Sequence, residues 1–259
     1  SPNSCDDMLC SCMDVADLIS YSLVCRDTRR TVDNYKRRAY RLHRVLCRFM
    51  SYDDVDRFRV LQTLTGAVVS GSIALQFLDR VNYSACDMDV YTDVHHVYEV
   101  FAFFSNIGYL YQPRISHARD AMDEEAVPTN EVGYKIRSVA GVYNFTRPSC
   151  PTAKVQLIIA RHAVIDVILD FHSCNSHHLA VVMNIITHYA AYSLYPYETF
   201  IARRGLCLNK EYGAASRPIL DKYRDRGWRM LHRVVDAAGS QFAEGTRFVG
   251  DRMTWVVPL

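Results

Sequence analysis

The sequence is short of several things, and each shortage narrows what the chain can be. No positively charged start followed by an apolar stretch opens it, and no apolar run approaches the about 20 residues that a bilayer span needs. Charge of one sign is missing as well. The chain carries 30 Lys and Arg against 28 Asp and Glu, a balance of +2, so no global field draws it to nucleic acid. There is no internal repeat, no low-complexity tract and no linker long enough to force a second independent domain. No Cys-x-x-Cys or His-x₃-His frame exists, which leaves His172, Cys174, His177 and His178 without the partner pair a zinc site requires. Nine cysteines, an odd number, with no secretory opening give the expectation of reduced thiols in the cytosol or nucleus. The first residue is Ser1 rather than Met, so the expectation leaves a preceding segment open.

What remains is ordinary globular composition, 49% hydrophobic and 22% charged over 259 residues. The most informative stretch is 68–93. Ala67, Val68 and Val69 form a short apolar run that reads as a buried strand. Ser70-Gly71-Ser72 follows as a tight small-residue turn, and 73–80 has helical spacing. After a polar loop over 81–86, residues 87–91 alternate with period 2, as a strand does. That alternation places Asp87 and Asp89 on one face and turns Met88 and Val90 into a core. Two close carboxylates repel unless a cation sits between them, and hard oxygen ligands suit Mg²⁺ or Mn²⁺. The turn at Gly71-Ser72 opens a helix whose free N–H groups suit a phosphate.

Gly-Ser at a strand-to-helix turn, then Asp-x-Asp on the next strand, resembles the nucleotidyltransferase fold, the DNA polymerase β-like superfamily. The resemblance implies an α+β fold: a mixed sheet flanked by helices, with a helical cap at the N-terminus and helices at the C-terminus. It implies a nucleoside triphosphate and Mg²⁺ or Mn²⁺ held by Asp87 and Asp89, with Gly71 and Ser72 at the phosphates. Transfer of a nucleoside monophosphate to a hydroxyl of RNA, a protein or a small molecule is the implied activity. Active members usually add a third carboxylate from a later strand. The position that alternation selects here is Gln156, at the nucleotide but unable to act as a base. Asp166 and Asp170, on an expected helix over 163–173, are the remaining acids that could substitute. The alternative is therefore a nucleotide-binding protein whose transfer step is weakened or lost.

Upstream, helices are expected over 13–25 and 33–50. The second would carry Arg37, Arg41, Arg44 and Arg48 within about 60° of one another, a basic ridge facing phosphate or solvent. Eleven Lys or Arg against five Asp from Arg26 to Arg59 reinforce it. The same segment, DLISYSLVCRDTRRTVDNY, weakly resembles an F-box core without its usual Leu-Pro-Pro entry, which would imply a Skp1-type adaptor as partner. The stretch KVQLI…DFHS…VMNIITHYAAYSLYPYETFIARRGL, together with LTGAVVSGSIALQFLDR upstream and DKYRDRGW downstream, resembles a group of fungal proteins in which an F-box-like start precedes a nucleotidyltransferase-like core. The expected division is a cap over 1–60, a core over 61–205 and an extension over 206–259. Within these, 134–139 and 142–145 read as a hairpin, 153–159 as a strand and 179–194 as a helix. Residues 216–227 and 228–238 read as two helices, and Arg203, Arg204, Lys210 and Arg217 as basic positions for a triphosphate.

Overall fold

A computed structural model describes residues 5–83, 86–113, 138–170, 180–207, 217–234, 240–243 and 247–259, apart from the side chains of 170, 217 and 219. Helices come first: α1 (Cys5–Cys12), α2 (Val15–Ser22), α3 (Arg26–Ala39), α4 (His43–Leu46) and α5 (Tyr52–Thr65). Ser51 caps α5 by accepting from Asp54 N, and Gly66 ends it at φ 66°, in the left-handed region that glycine enters without strain. The chain then enters β1 (Val68–Ser70), α6 (Gly71–Asp79), β2 (Met88–Asp93) and α7 (Val97–Asn106). Strands β3 (Leu110–Gln112), β4 (Val139–Arg147) and β5 (Cys150–Ala160) precede α8 (Val164–Asp170). A hairpin of β6 (Asn184–Ile186) and β7 (Ala190–Ser193) leads to a π-helical turn at Tyr197–Ile201. The last elements are β8 (Arg204–Leu206), α9 (Arg217–Asp225), β9 (Arg229–Leu231) and β10 (Trp255–Pro258).

Eight strands make one mixed sheet in the order β10-β7-β6-β1-β2-β5-β4-β3, and β8 pairs with β9 separately. Within the large sheet the β2/β5 pair is parallel and the rest are antiparallel. This is the expected mixed sheet flanked by helices. Alternation sorts the side chains into two apolar cores. Val69, Met88, Val90, Val155, Leu157 and Ile159 point toward α5, α6 and α7. Val68, Tyr91, Ile158 and Ala160 point toward α8, whose Val167 and Ile168 are fully buried. No helix among the described residues is long and apolar enough to cross a membrane.

The central element is α6. It is apolar on every side, with Ile73, Ala74, Leu75, Phe77 and Leu78 at 2% exposure or less. Each such Ile, Leu or Phe contributes about 1.5–3 kcal/mol by burial. Its one long polar side chain, Gln76, is buried too and fully used. Oε1 accepts from Arg48 Nη1 at 2.9 Å and from Tyr83 N at 2.8 Å, while Nε2 donates to Ser72 O at 3.1 Å. The loop after α6 is thereby tied to the helix, and that loop delivers β2.

Four expectations need correction. The helix over 33–50 does not form. α3 stops at Ala39, Tyr40 turns at ψ 51°, and a short α4 follows. Tyr40, Leu42, Val45, Leu46, Phe49 and Met50 are all buried, which a single straight helix with one arginine face cannot arrange. The basic ridge dissolves with it. Arg37 bonds Asn34, Arg44 donates to Ala39 O, and Arg48 turns inward to Gln76 and Tyr83 O. Residues 139–147 are one strand with a bulge near Ala140 rather than part of a hairpin broken there. Residues 184–193 are a hairpin rather than a helix: its two strands are buried at every position, so no period tells strand from helix there. In the C-terminal region α9 forms as expected, but 229–231 is strand β9 and not the start of a second helix.

Replacing Gln76 by Leu keeps the volume but leaves the Arg48 guanidinium and Tyr83 N without their acceptor. Gln76→Leu is expected to lose about 3 kcal/mol of stability in urea unfolding. A loss below about 0.5 kcal/mol would mean that this network does not hold the loop.

Candidate functional site

The site forms where β1 hands over to α6. Ser70 pairs with Asp89 across the β1/β2 ladder, and Ser70 Oγ is committed to Asn184 O at 2.6 Å. Gly71 then takes φ +65°, which swings the first turn of α6 over β2. The approach is so close that a Cβ at Gly71 would overlap Asp89 Oδ2 and stand 3.1 Å from Asp89 Cγ. Glycine is required twice here, for its backbone conformation and for the space the carboxylate fills. The sequence pattern placed Gly71 at a phosphate; the structure adds that it seats Asp89.

Asp89 lies on β2, and Asp87 stands exposed one residue before the strand. Asp89 keeps part of its surface open but sits in tight packing. Burial first, and the charge of Asp87 second, push its carboxyl up to about 7, while Lys222 pulls it back. No described residue gives the Asp89 carboxylate a hydrogen bond within the chain. A buried carboxylate beside a second acid, without donors, is a poor arrangement for the protein alone and a good one for a divalent cation. Among the described residues no cluster of three or more His, Cys, Asp or Glu completes a closed metal cage. Asp87 and Asp89 would therefore hold an ion from one side only.

Gln156 is where the spacing put it. In the parallel β2/β5 register it lies directly opposite Asp89, and on the far side Asn144 pairs with it. Its Nε2 donates to Asn144 Oδ1 at 3.0 Å, so a neutral amide pair, and not an acid, faces Asp89 across the ladder. Asp166 does not compensate. It is exposed, and its Oδ2 accepts from Ala163 N at 3.3 Å, at the start of its own helix. The side chain of Asp170 lies outside the described residues, as do 171–179, where the zinc reading of His172, Cys174, His177 and His178 fell.

Opposite the turn stands α9, which sequence reading did not connect to the site. Tyr223 OH and Ser72 Oγ share a hydrogen bond of 3.1 Å, and Arg226 Nη1 lies 3.5 Å from the same Ser72 oxygen. The Arg226 guanidinium stacks 4.0 Å from the Tyr83 ring centroid and 5.6 Å from that of Tyr223. Burial pushes the Tyr223 hydroxyl up to about 12 despite Ser72 and Arg226. Burial, then Arg226, lowers the Lys222 ammonium, against the pull of Asp89 and Asp87. The basic residues that sequence reading singled out are used otherwise. Arg203 pairs with Asp79 at 2.7 Å, and Arg204 with the buried Glu198 at 2.8 Å. Lys210 and the Arg217 side chain lie outside the described residues. Lys222 and Tyr223 lie on α9, and Arg226 follows it directly.

No protein-family model matches the sequence, and no curated protein matches it. Among solved structures, one described as a complex of a CCA-adding enzyme with CTP is similar at 9% identity with a TM-score of 0.40. That similarity covers 85% of this chain, which spans 43% of the length of the other. So low a score carries no argument, and the site rests on its own geometry.

Two outcomes are expected. Gly71→Ala is expected to lose at least 1–2 kcal/mol, roughly, from its left-handed backbone alone, and to displace Asp89 further. Urea unfolding and Mn²⁺ titration by calorimetry check both effects. The second concerns pH. From about 4 to about 7 the unfolded chain has released the Asp89 proton while the folded chain retains it, so stability falls as pH rises through that window. In metal-free buffer, Asp89→Asn is expected to remove that slope and gain on the order of 2 kcal/mol at pH 8 relative to pH 4. Urea midpoints across that range measure it; parallel curves for the two proteins would contradict the assigned burial.

Proposed function

We propose that this site binds a nucleoside triphosphate together with Mg²⁺ or Mn²⁺, in the manner of the nucleotidyltransferases that the sequence resembles. The observation that carries the reading is the seating of Asp89 against the Gly71 backbone, with Asp87 beside it and Ser72 facing Tyr223 and Arg226. The start of α6 presents backbone N–H groups and the positive end of its dipole to a phosphate. Lys222 and Arg226 add positive charge on the opposing wall, and the Tyr83 ring offers an apolar face beside Arg226. A divalent ion held by Asp87 and Asp89 would bridge them to the phosphate oxygens and stabilise charge during transfer.

Nucleotidyl transfer itself also needs the acceptor hydroxyl to lose a proton. Gln156 cannot take one, because an amide is not a base at usable pH. Asn144 holds it from the other side, and Asp166 is turned away. We therefore favour a nucleotide-binding protein in which transfer is weakened or lost over a fully active transferase. Were transfer retained, its acceptor would be a hydroxyl of RNA, a protein or a small molecule.

The test has two parts. Calorimetric titration of each nucleoside triphosphate with Mn²⁺ should show binding to the wild type and at least a tenfold loss, roughly one to two lost charge contacts, in Asp87→Asn/Asp89→Asn. Absence of binding by any triphosphate would overturn the reading. Gln156→Asp places a carboxylate opposite Asp89 and should tighten Mn²⁺ and raise turnover of a labelled triphosphate above the wild-type level. Wild-type turnover that Gln156→Asp lowers would instead favour the active enzyme.

A further inference from the structure

A cavity of about 550 Å³ lies at the other end of α6, lined by α1, α2, the C-terminal half of α3 and the π-helical turn. Gly71 and Asp79 are about 12 Å apart along the helix, so this cavity is separate from the Asp87–Asp89 site. Its size suits a small organic ligand. Its charges do not cancel. Asp7 is taken by Arg38 and Asp79 by Arg203, and Asp14 accepts from Asp17 N at 2.8 Å as the cap of α2. Arg44 and Arg80 also line the cavity, and among the described residues neither forms an ion pair. Their hydrogen bonds go to neutral groups: Arg44 to Ala39 O and Arg80 O, and Arg80 to Cys10 O, Met13 O and Tyr35 OH.

Two further observations point to a ligand. Arg80, a lining residue, has its Nε buried without a hydrogen-bond partner. A guanidinium nitrogen only donates, so the missing partner is an acceptor. In addition, the described non-glycine residues with left-handed backbone are Arg80 at φ 59° and Arg203 at φ 50°, and both line this cavity. At Arg80 this backbone is the cap that ends α6; at the bulky Arg203 it is of the kind that gathers at binding sites. Val15, Leu78, Val81 and Phe200 supply apolar wall beside the arginines.

We propose that this cavity binds a small organic phosphate, with its phosphate at Arg44 and Arg80 and its carbon skeleton against the apolar wall. The site is independent of the triphosphate reading and would stand if that reading failed. Calorimetry with ribose 5-phosphate, ribose and inorganic phosphate tests it on the wild type, Arg44→Gln, Val15→Trp and Asp87→Asn/Asp89→Asn. Arg44 is exposed and Val15 only half-buried, so both variants are expected to fold, which circular dichroism checks. Ribose 5-phosphate should bind the wild type and the double variant alike, and Arg44→Gln should weaken it about tenfold or more. Val15→Trp should weaken it by filling the apolar side, and ribose should not bind. No binding of ribose 5-phosphate up to about 1 mM would overturn the proposal. So would binding untouched by Arg44→Gln or Val15→Trp, or lost in the double variant. Inorganic phosphate binding as tightly as ribose 5-phosphate would reduce the site to an adventitious ion only and overturn it equally.

Discussion

The carboxylate of Asp89 occupies the volume that a side chain at residue 71 would fill, and much of the surrounding structure follows from that contact. It fixes how closely α6 can approach β2, and so where the helix N-terminus points. It also places a charge in packing that disfavours charge, beside a second acid. A fold that kept this pair for stability alone would do better with an amide at residue 89. The arrangement makes physical sense when something positive is brought to it, and α9 supplies only part of that through Lys222.

From the turn outward, each neighbour is held by a different device. Gln76 uses both ends of its amide to fix the loop that carries Tyr83, and Arg48 reaches in from the N-terminal helices to complete that bond. Tyr223 reaches Ser72 from the C-terminal side, and Trp228 locks the following chain by donating to Thr199 O at 2.8 Å. Residues from all three parts of the chain meet in one apolar core, from Cys10 through Leu75 to Val257. Residues 5–60 are thus packed on the sheet: Arg48, Phe49 and Tyr40 touch the elements that position the site.

Much of the centre was legible because local and global signals agree there. Alternation and turn chemistry singled out Gly71, Asp87, Asp89 and Gln156, and the register sets Gln156 directly across from Asp89. The failures have physical causes. Residues 184–193 read as a helix because Ile186 and Ala190 fit a helical stripe, yet they are buried on both sides of a hairpin, where periodicity carries no information. The arginines near residue 44 suggested a ridge on spacing alone; buried neighbours on every side instead break the helix and draw Arg48 inward. Tyr223 and Arg226 were missed because they reach back 151 and 154 residues to Ser72, a contact no local pattern encodes.

The central claim is that the Gly71 turn and the Asp87–Asp89 pair form one metal–phosphate site. Paramagnetic line broadening tests this most directly, with Mn²⁺ and a non-hydrolysable ATP analogue titrated into isotope-labelled protein. The account requires the amides of Gly71, Ser72, Met88 and Gln156 to broaden first, followed by those of Lys222 and Tyr223. Resonances near Tyr35 and Val15, at the opposite end of α6, should persist. Broadening centred elsewhere, or none at all, would contradict it.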